Sequence, residues 1–207
     1  MTMFRNKYRV EGNRMRILNY SAPGQYFITN NIQNRHWILG RVANQKMFYS
    51  EYGEIVKKEV LKIPEYHPRI ILDEWVVMPN HFHLLIILKE YGYYNGISEV
   101  DDYNMQKNHE FYLSRKWWNK PNYQPTKKEV EEYCKLRRRM IIPKLMGKLQ
   151  MKTSKDINIL RKTPGTKNWQ HDYHDHVIRD GRSYPRIKNY IINNPKNWKG
   201  DTFFDRA

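Results

Sequence analysis

The 207-residue chain suits a single domain with extensions, and 40% hydrophobic with 14% aromatic residues is enough for a packed core. Its formal net charge of +16, from 37 Lys+Arg against 21 Asp+Glu, favours a polyanionic partner, with nucleic acid ahead of a membrane surface. The single cysteine, Cys134, excludes an internal disulfide, and the longest apolar run, Leu84 to Leu88, is far too short to span a bilayer. Residues 1–19 show no apolar block of the signal-peptide kind, so the expected setting is the reducing cytoplasm.

Residues 1–24 carry Arg5, Lys7, Arg9, Arg14 and Arg16 without a clear period. They read as a basic N-terminal extension, either a solvated tail or an arm along a nucleic-acid backbone. Tyr26 to Ile32 is rich in β-formers and predicts a first strand, whose polar end, Asn30 to Arg35, can face a ligand. Tyr52, Ile55, Val56, Val60 and Ile63 recur at helical spacing and predict a helix over 49–63. Arg69 to Met78 predicts a second strand, and Pro79-Asn80 a turn into a third.

The third strand carries His81 and His83. Residues i and i+2 of a strand share one face, about 7 Å apart along the chain, so two imidazoles can converge on one metal ion or one phosphate. Leu85 and Ile87 continue that face, while Phe82, Leu84, Ile86 and Leu88 line the other.

Residues 90–125 break the periodic pattern, and the stretch from about 90 to 142 reads as a long insertion. Within it Trp117 and Trp118, flanked by Arg115 and Lys116, serve either as buried core or as a platform for unpaired bases. Thr126 to Glu129 is a capping box that opens a helix towards Arg137-Arg138-Arg139. After Pro143 a second helix is expected from Lys144 to about Arg161, with Met146, Leu149, Thr153, Ile157 and Leu160 on one stripe. Trp169 to Arg179 predicts a last strand, including His176 and Arg179. Ser183 can cap a final helix that Pro195 terminates. That helix places Tyr190 and Asn194 at i and i+4, one turn apart on one face. The order of elements predicts an α+β fold: a mainly antiparallel, ferredoxin-like (RRM-like) sheet flanked by helices, over residues 25–198, with 199–207 as a C-terminal tail.

Val76-Val77-Met78-Pro79-Asn80-His81-Phe82-His83-Leu84-Leu85 resembles the His-hydrophobic-His ("HUH") motif of single-tyrosine transposases. Trp169 to Arg179, followed by Tyr190-Ile191-Ile192-Asn193-Asn194-Pro195, resembles the C-terminal signature of the REP-associated tyrosine transposases. Tyr26 to Thr29 with Asn34-Arg35, and Tyr52 to Val56, are similar to that family's opening. The resemblance implies an HUH endonuclease fold and a nuclease and strand transferase that uses Mg²⁺ or Mn²⁺. Its DNA is single-stranded, at hairpin-forming repeats, and the intermediate is a 5′-phosphotyrosine. Carried over by position, His81 and His83 are metal ligands and catalytic, Tyr190 is the nucleophile, and Asn194 supplies a third, polar ligand. His176 matches a family histidine, and the 90–142 stretch is longer than the family pattern.

The expected DNA-binding residues are Arg35, Arg115, Lys116, Trp117, Trp118, Arg137, Arg138, Arg139, His176 and Arg179. The expected partner is hairpin DNA, the expected state a monomer or homodimer, and the expected location the cytoplasmic nucleoid. Two other readings stay open: a non-catalytic hairpin-binding relative, and a metal nuclease that uses water with Tyr190 merely structural.

Overall fold

The structure is a computed structural model, and it describes residues 19–90 and 126–204 together with two short N-terminal strands. Those strands, β1 (Met3–Phe4) and β2 (Tyr8–Arg9), pair antiparallel with each other. The remainder of the basic extension and most of the 90–142 insertion, including Arg115, Lys116, Trp117 and Trp118, lie outside the described residues.

The centre is a four-stranded antiparallel sheet in the order β6-β7-β3-β8, built from β3 (Gly24–Asn31), β6 (Ile70–Val77), β7 (His81–Leu88) and β8 (His174–Ile178). β6 and β7 form a hairpin around Pro79-Asn80, which the Met78 N–H closes by donating to the His81 carbonyl at 2.8 Å. The alternation read from the sequence holds. Phe82, Leu84, Ile86 and Leu88 enter the main core, while Leu85, on the histidine face, belongs to a second, smaller cluster.

The main core is closed by α1 (Glu51–Leu61) and α3 (Ile141–Leu160), which bring Val56, Val60, Met146, Leu149 and Ile157 onto the sheet. Ser50 caps α1 by accepting the Gly53 N–H. Gly53 is required there, since a Cβ would stand 2.0 Å from the Leu39 carbonyl oxygen. A hairpin of β4 (Gly40–Ala43) and β5 (Lys46–Tyr49) precedes α1, an element the sequence reading left unassigned.

α2 (Lys127–Arg139) stops at Met140, and α3 starts at Ile141, three residues before the expected start. Pro143 falls in the first turn of α3, where a backbone N–H has no helical acceptor, so it does not break the helix. The buried stripe of α3 runs to Ile157, but Leu160 is exposed. β8 is confined to His174–Ile178, and Trp169 instead makes an isolated bridge to Ile32.

α4 (Ser183–Asn193) lies on the histidine face of the sheet. Its first turn is capped by the Asp180 carboxylate, which accepts the Arg182 and Ser183 N–H groups; the Ser183 side chain, expected as the cap, does not perform it. α4 is then anchored by Asp73. That residue is the extra one in a β-bulge between Leu72 and Glu74, and it receives the Tyr184 hydroxyl at 2.6 Å and the Lys188 ammonium at 2.9 Å. No helix among the described residues is long and apolar enough to cross a membrane.

Candidate active site on the histidine face

The β7 pleat and the α4 anchor bring four side chains to one point. His81 and His83 are fully buried, with their Nε2 atoms 3.0 Å apart. The Tyr190 hydroxyl lies 3.2 Å from His83 Nε2 and donates to Asp201 Oδ2 at 3.2 Å. Asn194, one helical turn on, donates to the same carboxylate oxygen at 2.8 Å. Phe27 supports the cluster from β3, edge-on to the Tyr190 ring at 6.1 Å and 5.2 Å from the His83 ring.

The hydrogen bonds behind the imidazoles set their usable faces. The Asn80 amide nitrogen donates to the Arg35 and Phe203 carbonyls, so its oxygen is left to accept the His81 Nδ1–H at 2.8 Å. That places the free lone pair of His81 on Nε2. His83 Nδ1 meets the Thr29 hydroxyl at 2.7 Å, its register partner on β3. A hydroxyl both donates and accepts, so His83 can carry its proton on Nδ1 and present a second Nε2 lone pair to the same point. Burial pushes His81 down to about 3, helped by the Arg35 charge, and burial pushes His83 well below its usual range. Both rings are therefore neutral at neutral pH, the form that binds metals.

The donor set fits a cation. The ligand atoms of His81, His83 and Asp201 all lie within 4.8 Å of one another. With His83 protonated on Nδ1, both Nε2 lone pairs face one point, and the buried Asn194 Oδ1 beside them has no hydrogen-bond partner among the described residues. Imidazole nitrogens with carboxylate and amide oxygens suit a divalent ion. Tyr190, meanwhile, is held firmly protonated. Partial burial and the Asp201 charge push its phenol up to about 12.

No family model matches the chain. It is 28% identical over 202 residues to an uncharacterized protein of Haemophilus influenzae, covering 92% of this chain and 91% of that protein. Among solved structures it is similar to a REP-associated tyrosine transposase bound to a REP hairpin, at TM-score 0.43 and 16% identity over 87% of this chain and 72% of that one. It is also similar to a candidate transposase of Deinococcus radiodurans R1, at TM-score 0.38 and 15% identity over 85% of this chain and 94% of that one. Both structural neighbours are described as transposases.

Of the residues singled out in the sequence, His81, His83, Tyr190 and Asn194 come together. Arg35 stands beside them, its guanidinium 5.7 Å over the Phe203 ring. His176 and Arg179 are exposed, and His176 pairs with Phe27, so it shares the histidine face of the sheet. Arg137 is buried with its guanidinium 5.2 Å over the Tyr20 ring, so only Arg138 and Arg139 of that run face solvent. The residue that sequence reasoning missed is Asp201, placed in a short polar tail. Residues 201–204 instead pack over the site, with Phe203 4.7 Å from the His81 ring. The one signal for it was an acid, one of two with Asp205, in a short C-terminal stretch, which is too weak to single it out.

Proposed function

We propose that the chain is a divalent-metal-dependent, single-tyrosine endonuclease and strand transferase acting on single-stranded DNA at hairpin-forming repeats. The observation that carries this reading is the Tyr190 hydroxyl 3.2 Å from the Nε2 of a buried, neutral histidine pair. The motif resemblance and the +16 charge support it.

His81, His83 and Asp201 would hold the ion, with the Asn194 amide oxygen as a further candidate ligand. A bound divalent ion would supply positive charge for the scissile phosphate and offset the carboxylate that now opposes phenolate formation. Tyr190 supplies the nucleophile. Its oxygen forms a bond to phosphorus as the P–O3′ bond breaks, leaving a 5′-phosphotyrosine and a free 3′-hydroxyl. The phenolic proton departs to solvent or a nearby base, and the leaving 3′-oxygen takes one up. Because one phosphodiester is exchanged for another, a 3′-hydroxyl can reverse the step and join strands without ATP. Phe27 and the α4 anchor hold the Tyr190 ring, Asn80 and Thr29 orient the imidazoles, and the basic surface draws in the DNA.

The test is a denaturing gel of protein with labelled hairpin DNA bearing single-stranded flanks, in Mn²⁺, in Mg²⁺ and in EDTA. A DNA–protein adduct that needs metal and disappears in Tyr190→Phe is expected. Cleavage without an adduct points to a water-using nuclease. Retention on a native gel with no cleavage in either metal moves the reading to a hairpin-binding protein.

A further inference from the structure

Beside the site, the tip of the β4–β5 hairpin faces the segment that follows α4 across a cavity of about 650 Å³. Its walls carry Asn44 and Gln45 from the hairpin and Lys196, Asn197 and Lys199 from the segment, with Val42 and the buried Trp198 as apolar lining. None of the five polar side chains has a hydrogen-bond or ion-pair partner among the described residues, and all five are exposed. The cavity ends at Gly200, next to Asp201, while Trp198 also lies 5.9 Å from the His81 ring. Trp198 is thus a wall shared by this space and the histidine site.

The hairpin tip shows a second sign. Asn44 and Gln45 both sit at positive φ, +50° and +62°. Such two-residue turns favour Asn-Gly or Gly-Gly, and glutamine is uncommon in this backbone region. Backbone strain of this kind concentrates where a side chain is needed for binding. What Gln45 adds over glycine is an amide at the cavity mouth.

We propose that this cavity holds an unpaired nucleotide flanking the scissile phosphate. Lys196 and Lys199 contact its backbone, and the Asn44 and Gln45 amides read its base edge. The chemistry matches the contents. Two ammonium groups suit phosphates, adjacent amides offer both donors and acceptors to a base, and the apolar lining suits a base face. The inference rests on the single-stranded DNA reading of the neighbouring site.

Binding is measured first, by fluorescence anisotropy with fluorescein-labelled dT20, in a Tyr190→Phe background so that chemistry cannot intervene. Lys196→Gln/Lys199→Gln is compared with Lys144→Gln/Lys155→Gln, which removes the same charge from exposed positions of α3 on the other layer. The cavity pair is expected to weaken binding about fivefold or more, and the control pair less than about twofold. Equal losses in the two pairs overturn the proposal. The second arm uses Asn44→Gly/Gln45→Gly, which suits the turn and so keeps the hairpin. Covalent adducts are captured in Mn²⁺ from a hairpin library with randomised single-stranded flanks and then sequenced. Wild type is expected to enrich particular bases at a flanking position, and the glycine variant to lose that enrichment while still forming adducts. Identical flanking bases from both proteins overturn the proposal. If wild type captures no library member, the nuclease reading fails, and the dT20 comparison still decides whether the cavity binds single strands.

Discussion

Burial and, after it, the Asp201 carboxylate set the protonation state of Tyr190. Asp201 Oδ2 accepts from both the phenol and the Asn194 amide, and burial together with the carboxylate's charge pushes the phenol to about 12. Free tyrosine titrates near 10, so the site holds this phenol protonated more firmly than solution would. Removing the charge has two opposite consequences. In Asp201→Asn the Tyr190 midpoint, followed by NMR of Cζ-labelled tyrosine, is expected to move down. Mn²⁺ affinity, followed by calorimetry, is expected to fall about 10- to 100-fold as an anionic ligand is lost. A midpoint that stays near 12 would show that burial alone raises it. Metal affinity equal to wild type would remove Asp201 from the ligand set.

At the scale of elements, α4 is positioned by one bulge. An unbulged β6 would send Asp73 to a different place along the strand, and neither Tyr184 nor Lys188 would find its partner. Asp73→Ala is expected to leave the sheet intact by circular dichroism but to slow adduct formation about 10- to 100-fold, since a shift of about 1 Å at a nucleophile has that effect. An unchanged rate would mean that Ile187 and Ile191 packing alone fixes the helix.

On the other layer, Glu59 ties α1 to α3. It is buried, bonded to Lys62 and Tyr66, and lies 3.4 Å from Lys152. Burial by itself would raise its carboxyl, but those hydrogen bonds and the lysine charges outweigh it and hold the group at about 2. A depressed acid contributes stability fully above its unfolded value near 4.5 and loses it as the pH falls towards 2. Glu59→Gln is expected to cost about 2 kcal/mol at pH 7 in urea melts and to flatten the acid limb between pH 4.5 and 2. An acid limb as steep as wild type would assign it to other carboxylates.

For the whole molecule, the proposed binding of single strands draws on the excess of positive charge, +16 over the chain. Single strands release counterions with a slope of about −0.7 per phosphate contact, so six contacts imply roughly a 300-fold loss of affinity between 50 and 200 mM salt. Anisotropy titrations of Tyr190→Phe with dT20 across that range check this. A flat salt response would mean that the basic surface is not the binding surface.

The hydrophobic alternation of β7, the apolar stripes of α1 and α3, and the Tyr190–Asn194 spacing were legible in the sequence because they depend on local periods of 2 and 3.6 residues. Local periodicity even separated the histidine face from the core face correctly. It could not supply the β4–β5 hairpin, whose turn uses Asn44-Gln45 rather than a glycine pair. Nor could it separate Arg137, drawn under Tyr20, from its two exposed neighbours.

By itself, then, the sequence determined the order of the principal strands and helices, the pairing of His81 with His83 on one face, and the one-turn spacing of Tyr190 and Asn194. Tertiary structure alone decided that the phenol reaches the imidazoles, because that distance depends on a bulge at Asp73 contacting a helix more than a hundred residues later. It also decided that Asn80 orients His81 and that Asp201 closes the site. A carboxylate outside any helix or strand carries no periodic signal; only the folding of residues 201–204 over β7 brings Asp201 to the histidines.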